Sequence, residues 1–314
     1  MRANPATWTT LPVAEREQVG VGSPAGTADL SFRLADGRLI TYREYGTPGG
    51  FPVLALHGTP GSRLKYAAAD REAAGMGLRI ICPDRWGYGR TDPHPRPALA
   101  SYARDAGELV EGLGIRRFAV VGISGGGPYA AAVAAELKHR VASLALVAPV
   151  GPIAGAVEPR GLRLFHWMCF RVLAPVPGIM LTAFTVYRAL LALAPKTTIR
   201  IVSLGAGPVD KALVRSPDVR DRLGETFRAG MERGVKGVVV DLRLFSRPWE
   251  LSLGEISART RIWLGTDDTN VPQTAARRLQ QLIKGSQLTE LAGQGHFWIS
   301  RNYGEVLSWL AAAR

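Results

Sequence analysis

Apolar residues in this chain gather in short continuous runs, each closed by glycine, proline or a polar turn. Runs of that length, rich in Val, Ile and Leu, predict strands near residues 30–34, 39–45, 53–56, 79–82, 118–121, 142–147, 261–264 and 287–291. Helical stretches begin at Leu64, Leu99, Pro128, Ala275 and Val306, between or after those runs. Strands alternating with helices predict an α/β fold: a mostly parallel eight-stranded sheet flanked by helices, with an antiparallel first hairpin turning at Asp36-Gly37.

The alternation fails across residues 151–253, which read as a helical cap inserted into a core formed by 28–150 and 254–314. Residues 1–27, rich in Pro, Gly, Ala and Thr, read as a loosely packed N-terminal arm. A chain of 314 residues with 46% hydrophobic content can bury a large core, and one domain with an insertion is a more natural division than two equal halves. The insertion's first half is the most apolar part, with Phe165 and Trp167 followed by the uncharged run 172–187. That run contains proline and glycine and is shorter than a bilayer-spanning helix, so no transmembrane segment is expected. Its apolar residues have two uses: lining a hydrophobic substrate pocket, or packing the insertion onto the core.

The chemistry centres on Phe118-Ala119-Val120-Val121-Gly122-Ile123-Ser124-Gly125-Gly126. Here a serine stands between small residues at a strand end, just before an Ala-rich helix with Pro128 in its first turn. Gly-x-Ser-x-Gly in a strand, turn, helix context is a nucleophile elbow, which lifts the Ser124 hydroxyl out of the fold. A serine needs a base, and the base an orienting acid, in the chain order acid then histidine. Gly265-Thr266-Asp267-Asp268-Thr269-Asn270-Val271-Pro272 supplies the acid, with Asp268 preferred to Asp267 by the spacing Gly-x-x-Asp-x-x-Val-Pro. The glycine-flanked His296 supplies the base. An earlier strand runs into His57-Gly58-Thr59-Pro60-Gly61, so the amides of Thr59 and Gly125 are candidates for an oxyanion hole.

Of the five histidines, His94 and His139 are expected at the surface and His166, between Phe165 and Trp167, within the insertion's packing. His57 is expected to tie loops together beside the site, and it is counted with Ile123, Phe165, Trp167 and Phe297 as a candidate pocket residue.

These motifs, together with Asp84-Arg85-Trp86-Gly87-Tyr88-Gly89-Arg90-Thr91, resemble the α/β-hydrolase superfamily over the chain apart from the arm and the insertion. The His57-Gly58-Thr59-Pro60-Gly61 and Asp84-to-Thr91 motifs also resemble its proline-iminopeptidase branch, from whose His-Gly-Gly-Pro-Gly and Asp-x-Arg-Gly-x-Gly-x-Ser patterns Thr59 and Trp86 depart. The resemblance implies that Asp84 and Arg85 brace the floor of the site. A serine at the elbow argues against epoxide opening and halide displacement, which relatives perform with an aspartate there. It implies acyl transfer from a small acyl substrate, with an ester hydrolase as the first expectation. An iminopeptidase or amidase, using carboxylates such as Glu158, Glu225, Glu232 or Asp241 to hold an amino terminus, is the second. A ligand-binding receptor on the same fold is the non-enzymatic alternative.

The formal net charge of +13 adds little to this picture, because the arginines are dispersed and accompany no aromatic RNA-binding motif, so no nucleic-acid partner is expected. Arg160, Arg163, Arg171 and Arg188 border the apolar segments of the insertion and suit peripheral contact with an anionic membrane. The first residues lack a signal-peptide apolar core, and Cys82 and Cys169 have no metal-ligand spacing. The expectation is a cytoplasmic enzyme with reduced cysteines and neither metal nor cofactor.

Overall fold

The computed structural model describes residues 28–153, 168, 176–271 and 273–313. The N-terminal arm and the candidate pocket residues Phe165 and Trp167 therefore lie outside the described residues.

All eight predicted strands form one sheet: β1 (Leu30–Arg33), β2 (Leu39–Gly46), β3 (Phe51–Leu56), β4 (Leu78–Pro83), β5 (Phe118–Ile123), β6 (Val141–Val147), β7 (Arg259–Gly265) and β8 (Gln287–Leu291). Their order is β1-β2-β4-β3-β5-β6-β7-β8. The β1/β2 and β2/β4 pairs are antiparallel and every other pair is parallel. The central strands are the continuous apolar runs, buried on both faces, as parallel strands covered by helices must be. On β5, Phe118 and Val120 face one core cluster while Ala119, Val121 and Ile123 face the other. The outer strand β8, with Gln287, Thr289 and Glu290, is only partly covered, which suits an edge.

Helices α2 (Leu99–Gly112), α3 (Gly127–Leu137) and α9 (Gln273–Leu282) contribute to one cluster. Helices α1 (Asp70–Gly75) and α10 (Tyr303–Ala311) contribute to the other. Between β6 and β7 the described residues form α4 (Pro177–Leu193), α5 (Pro195–Val202), α6 (Pro208–Arg215), α7 (Pro217–Gly230) and α8 (Lys236–Phe245). Four of these five open on a proline, which is tolerated at a helix start because the missing N–H has no partner there anyway. Helix α4 buries only Met180 and Leu191, leaving Ile179, Val186, Leu190 and Leu193 in solvent. Among the described residues no helix is long and apolar enough to cross a membrane.

Candidate active site

Strand β5 delivers Ser124 to the carboxyl edge of the sheet, between β3 and β6, where open α/β sheets bind ligands. Ser124 has φ +53°, a left-handed conformation that costs a non-glycine residue energy. Its neighbours enforce it. A Cβ on Gly122 would lie 2.6 Å from both Ala130 Cβ and the Gly126 carbonyl oxygen, and one on Gly126 would lie 2.7 Å from the His57 oxygen. Sterics of bare backbone therefore shape the turn, and the serine carbonyl is held by the Val150 N–H at 3.0 Å.

The hydroxyl meets a histidine presented from the loop after β8: Ser124 Oγ is 3.0 Å from His296 Nε2. His296 Nδ1 is 2.8 Å from Asp268 Oδ2, on the loop after β7. The other oxygen of Asp268 accepts the amides of Asn270 at 2.7 Å and Val271 at 3.1 Å, so the carboxylate is oriented by its own turn. Because Asp268 accepts, Nδ1 carries the proton and Nε2 is free to accept from the serine. Asp268 is buried and Asp267 is exposed, which separates the two adjacent carboxylates. Burial opposes charge on His296, but the Asp268 carboxylate outweighs it, with help from Asp210, so the imidazole is pushed up from 6.5.

Thr59 and Gly125 both line the cavity in front of Ser124. The Thr59 N–H donates to no described residue, and Gly125 sits in the first turn of a helical segment, where amides lack an intrahelical acceptor. The Thr59 hydroxyl donates instead to Asp241, a buried residue of α8. Asp241 also accepts from Arg85, from Tyr88 Oη at 2.6 Å and from Tyr129 Oη at 2.5 Å. Arg85, itself fully buried, donates to the Thr59 hydroxyl at 2.9 Å and to the His57 carbonyl. Its neighbour Asp84 pairs with Arg63.

His57 does not line the cavity, which corrects its place among the candidate pocket residues. The ring is completely buried; Nε2 accepts the Arg85 amide at 3.1 Å and Nδ1 donates to the Gly58 carbonyl at 2.8 Å. Burial, with Arg85 beside it, holds its pKa well below 6.5, so it is a neutral brace between loops. Ile123 and Phe297 do line the cavity.

Sequence reasoning missed Asp210. This fully buried residue of α6 accepts the backbone amides of His296 at 2.9 Å and Phe297 at 2.8 Å. It approaches so closely that a Cβ on Gly295 would fall 2.6 Å from its Cγ. Its only sequence signal is an acid in the first turn of a Pro-initiated helix, which ordinarily means a solvated charge at a helix N-terminus.

The cavity holds about 190 Å³. Leu223 and Phe227 of α7 and Leu242 and Phe245 of α8 form its roof. The exposed apolar residues of α4 take no part in it.

A mostly parallel eight-stranded sheet flanked by helices, with Ser124 in a strand-turn-helix elbow after β5, is the architecture of the α/β hydrolases. This chain belongs to that family, described as the alpha/beta hydrolase fold, whose match spans residues 52–301. It is 27% identical over 270 residues to a non-heme haloperoxidase of Rhodococcus erythropolis, covering 83% of this chain and 90% of that protein. It is 36% identical over 134 residues to a non-heme chloroperoxidase of Streptomyces lividans, a stretch covering 41% of this chain and only 49% of that protein. Among solved structures it resembles an alpha/beta hydrolase fold protein from Nakamurella multipartita, with TM-score 0.65, 26% identity and coverage of 91% and 98% of the two chains.

Proposed function

We propose that the protein is a serine hydrolase that cleaves an ester, or a related acyl bond, of a small and largely apolar substrate through an acyl-enzyme. The observation that carries this reading is the relay from Ser124 to His296 to Asp268, with contacts of 3.0 and 2.8 Å. In the first half-reaction Ser124 Oγ attacks the substrate carbonyl carbon while its proton passes to His296 Nε2. The tetrahedral oxyanion faces the amides of Thr59 and Gly125, and Asp268 stabilises the imidazolium. Collapse breaks the bond to the leaving alcohol, which takes the proton from His296. Water, activated by the same histidine, then releases the acid and restores the serine.

Carboxylates bear on the iminopeptidase alternative. Of the described candidates, Asp241 is consumed by Arg85 and two tyrosines, Glu232 pairs with Arg90, and neither they nor Glu225 line the serine cavity. Glu158 lies outside the described residues. The test is a panel of p-nitrophenyl esters of increasing chain length with proline and alanine p-nitroanilides, run on the wild type and Ser124→Ala. Ester turnover lost in the variant is the expected result. Anilide turnover in its place moves the assignment to a peptidase, and failure of a fluorophosphonate to label Ser124 removes the nucleophile from the reading.

A further inference from the structure

Resting on that reading, we propose that the preferred substrate carries a carboxylate in addition to the bond that is cut, and that Lys65 receives it. Lys65 lies in the 3-10 segment Arg63–Ala69 just past the Thr59 loop, its backbone carbonyl held by Tyr303 Oη at 2.8 Å. It lines the serine cavity, where His296 is the only other ionisable residue among the described lining and no carboxylate is present. It also lines an adjoining space of about 130 Å³, which shares Leu223 and Thr226 with the first.

Nearby cations are already neutralised. Arg63 pairs with Asp29 and Asp84, Arg43 with Asp29, and Arg222 with Asp218. The Lys65 ammonium makes neither an ion pair nor a hydrogen bond with a described residue; Glu225, which lines the adjoining space, is exposed and unpaired with it. A half-buried lysine without a counter-charge is unfavourable, and burial pushes Lys65 down to about 8, with Arg222 acting in the same direction. At neutral pH it is still largely charged. A ligand anion supplies the partner the protein withholds, and the chain's net charge of +13 favours the approach of anions.

The position of the charge has a catalytic consequence. Lys65 acts on His296 to lower its pKa, opposing the imidazolium that must form when the serine attacks. A substrate carboxylate seated on Lys65 cancels that opposition, so the anion improves kcat as well as KM. This makes Lys65 a specificity residue that acts on the base through its field.

The test compares p-nitrophenyl monoesters of succinate, glutarate and adipate with chain-matched neutral p-nitrophenyl esters, on wild type, Lys65→Met and Lys65→Arg at neutral pH. The wild type should favour one hemiester over its neutral match by about tenfold or more in kcat/KM, as a charge-assisted contact implies. Lys65→Met should erase that ratio and Lys65→Arg should restore part of it. On neutral esters, Lys65→Met should also move the acidic limb of kcat/KM to higher pH, a signature that simple loss of packing does not produce. A preference that survives in Lys65→Met, or no preference in the wild type despite turnover of neutral esters, overturns the inference and leaves the hydrolase reading standing. Absence of turnover with every ester overturns the hydrolase reading instead. Calorimetry of hemiester binding to Ser124→Ala, with and without Lys65→Met, then decides Lys65 alone: tenfold weaker binding supports it and equal binding sinks it.

Discussion

The serine elbow and the helical insertion reach the same cavity by different physics. Around Ser124 the structure is dictated by absent side chains: Gly122 and Gly126 leave no room for a Cβ, and the backbone can turn in only one way. The insertion instead docks through buried charge. Asp241 of α8 gathers Arg85, Tyr88, Tyr129 and the Thr59 hydroxyl, while Asp210 of α6 holds the backbone of the histidine loop. The comparison teaches that the insertion is more than a roof. One carboxylate from it ends on each of the two loops that flank the serine, so the Thr59 loop and the His296 loop are both held from above.

The largest effect expected lies wholly in the core. Asp268→Asn should lower kcat about 10⁴-fold, the magnitude for a base left in the wrong tautomer, while Asp267→Asn stays near wild type. Steady-state kinetics on a p-nitrophenyl ester checks this, and the reverse pattern would transfer the acid role to Asp267. Next comes the insertion's oxyanion-side anchor. Asp241→Ala strands Arg85 as a fully buried charge and should cost about 3–5 kcal/mol of stability, measured by urea denaturation. A cost below about 1 kcal/mol would mean that the insertion is not anchored there.

Asp210→Ala sharpens the comparison on the base side. Losing the two backbone contacts lets the His296 loop shift, and a displacement of an ångström at a reacting group costs about 10²-fold in rate. The loss should fall on kcat with KM little changed, because the residue does not line the cavity. A change in KM alone would assign Asp210 to the packing of the roof.

The two regions also differ in how far the sequence discloses them. Strands buried on both faces write themselves as unbroken apolar runs, and the elbow, the Asp268 turn and the His296 loop are local patterns of glycine spacing. Each is legible because its cause lies within a few residues of it. Asp210 and Asp241 are not, since nothing near them in the chain separates a buried carboxylate with several hydrogen-bond partners from a solvated one on a helix. Of the two uses open to the uncharged run, its described part shows packing in part: Met180 is buried and Phe184 and Tyr187 pack against the core, while Ile179 and Val186 are exposed and the cavity roof comes from the more polar α7 and α8. The motif puts His57 at the end of β3, but which way its ring faces depends on Arg85, from a different strand's loop. Lys65 is one of 39 basic residues until the cavity is seen.

The smallest effect tests whether the two regions act on one proton. His296 must be neutral to accept the serine proton, so activity rises with pH through its pKa. That pKa lies above 6.5 because the Asp268 carboxylate, and then Asp210, outweigh the cost of burial and the charge of Lys65. The acidic limb of kcat/KM should therefore fall above 6.5, with rate dropping about tenfold per pH unit below it. Stability runs the other way. A histidine whose folded pKa is raised contributes stability fully present below 6.5 and lost as pH rises through the folded value, so the proposed activity should rise as this contribution fades. Asp210→Asn removes a charge from the insertion while its one amide oxygen keeps one of the two backbone contacts, and it should lower the limb by a fraction of a unit. Asp268 remains the larger influence. If a pH profile of Asp210→Asn overlays the wild type, the insertion positions the histidine loop without tuning its proton, and the link between the regions is mechanical only.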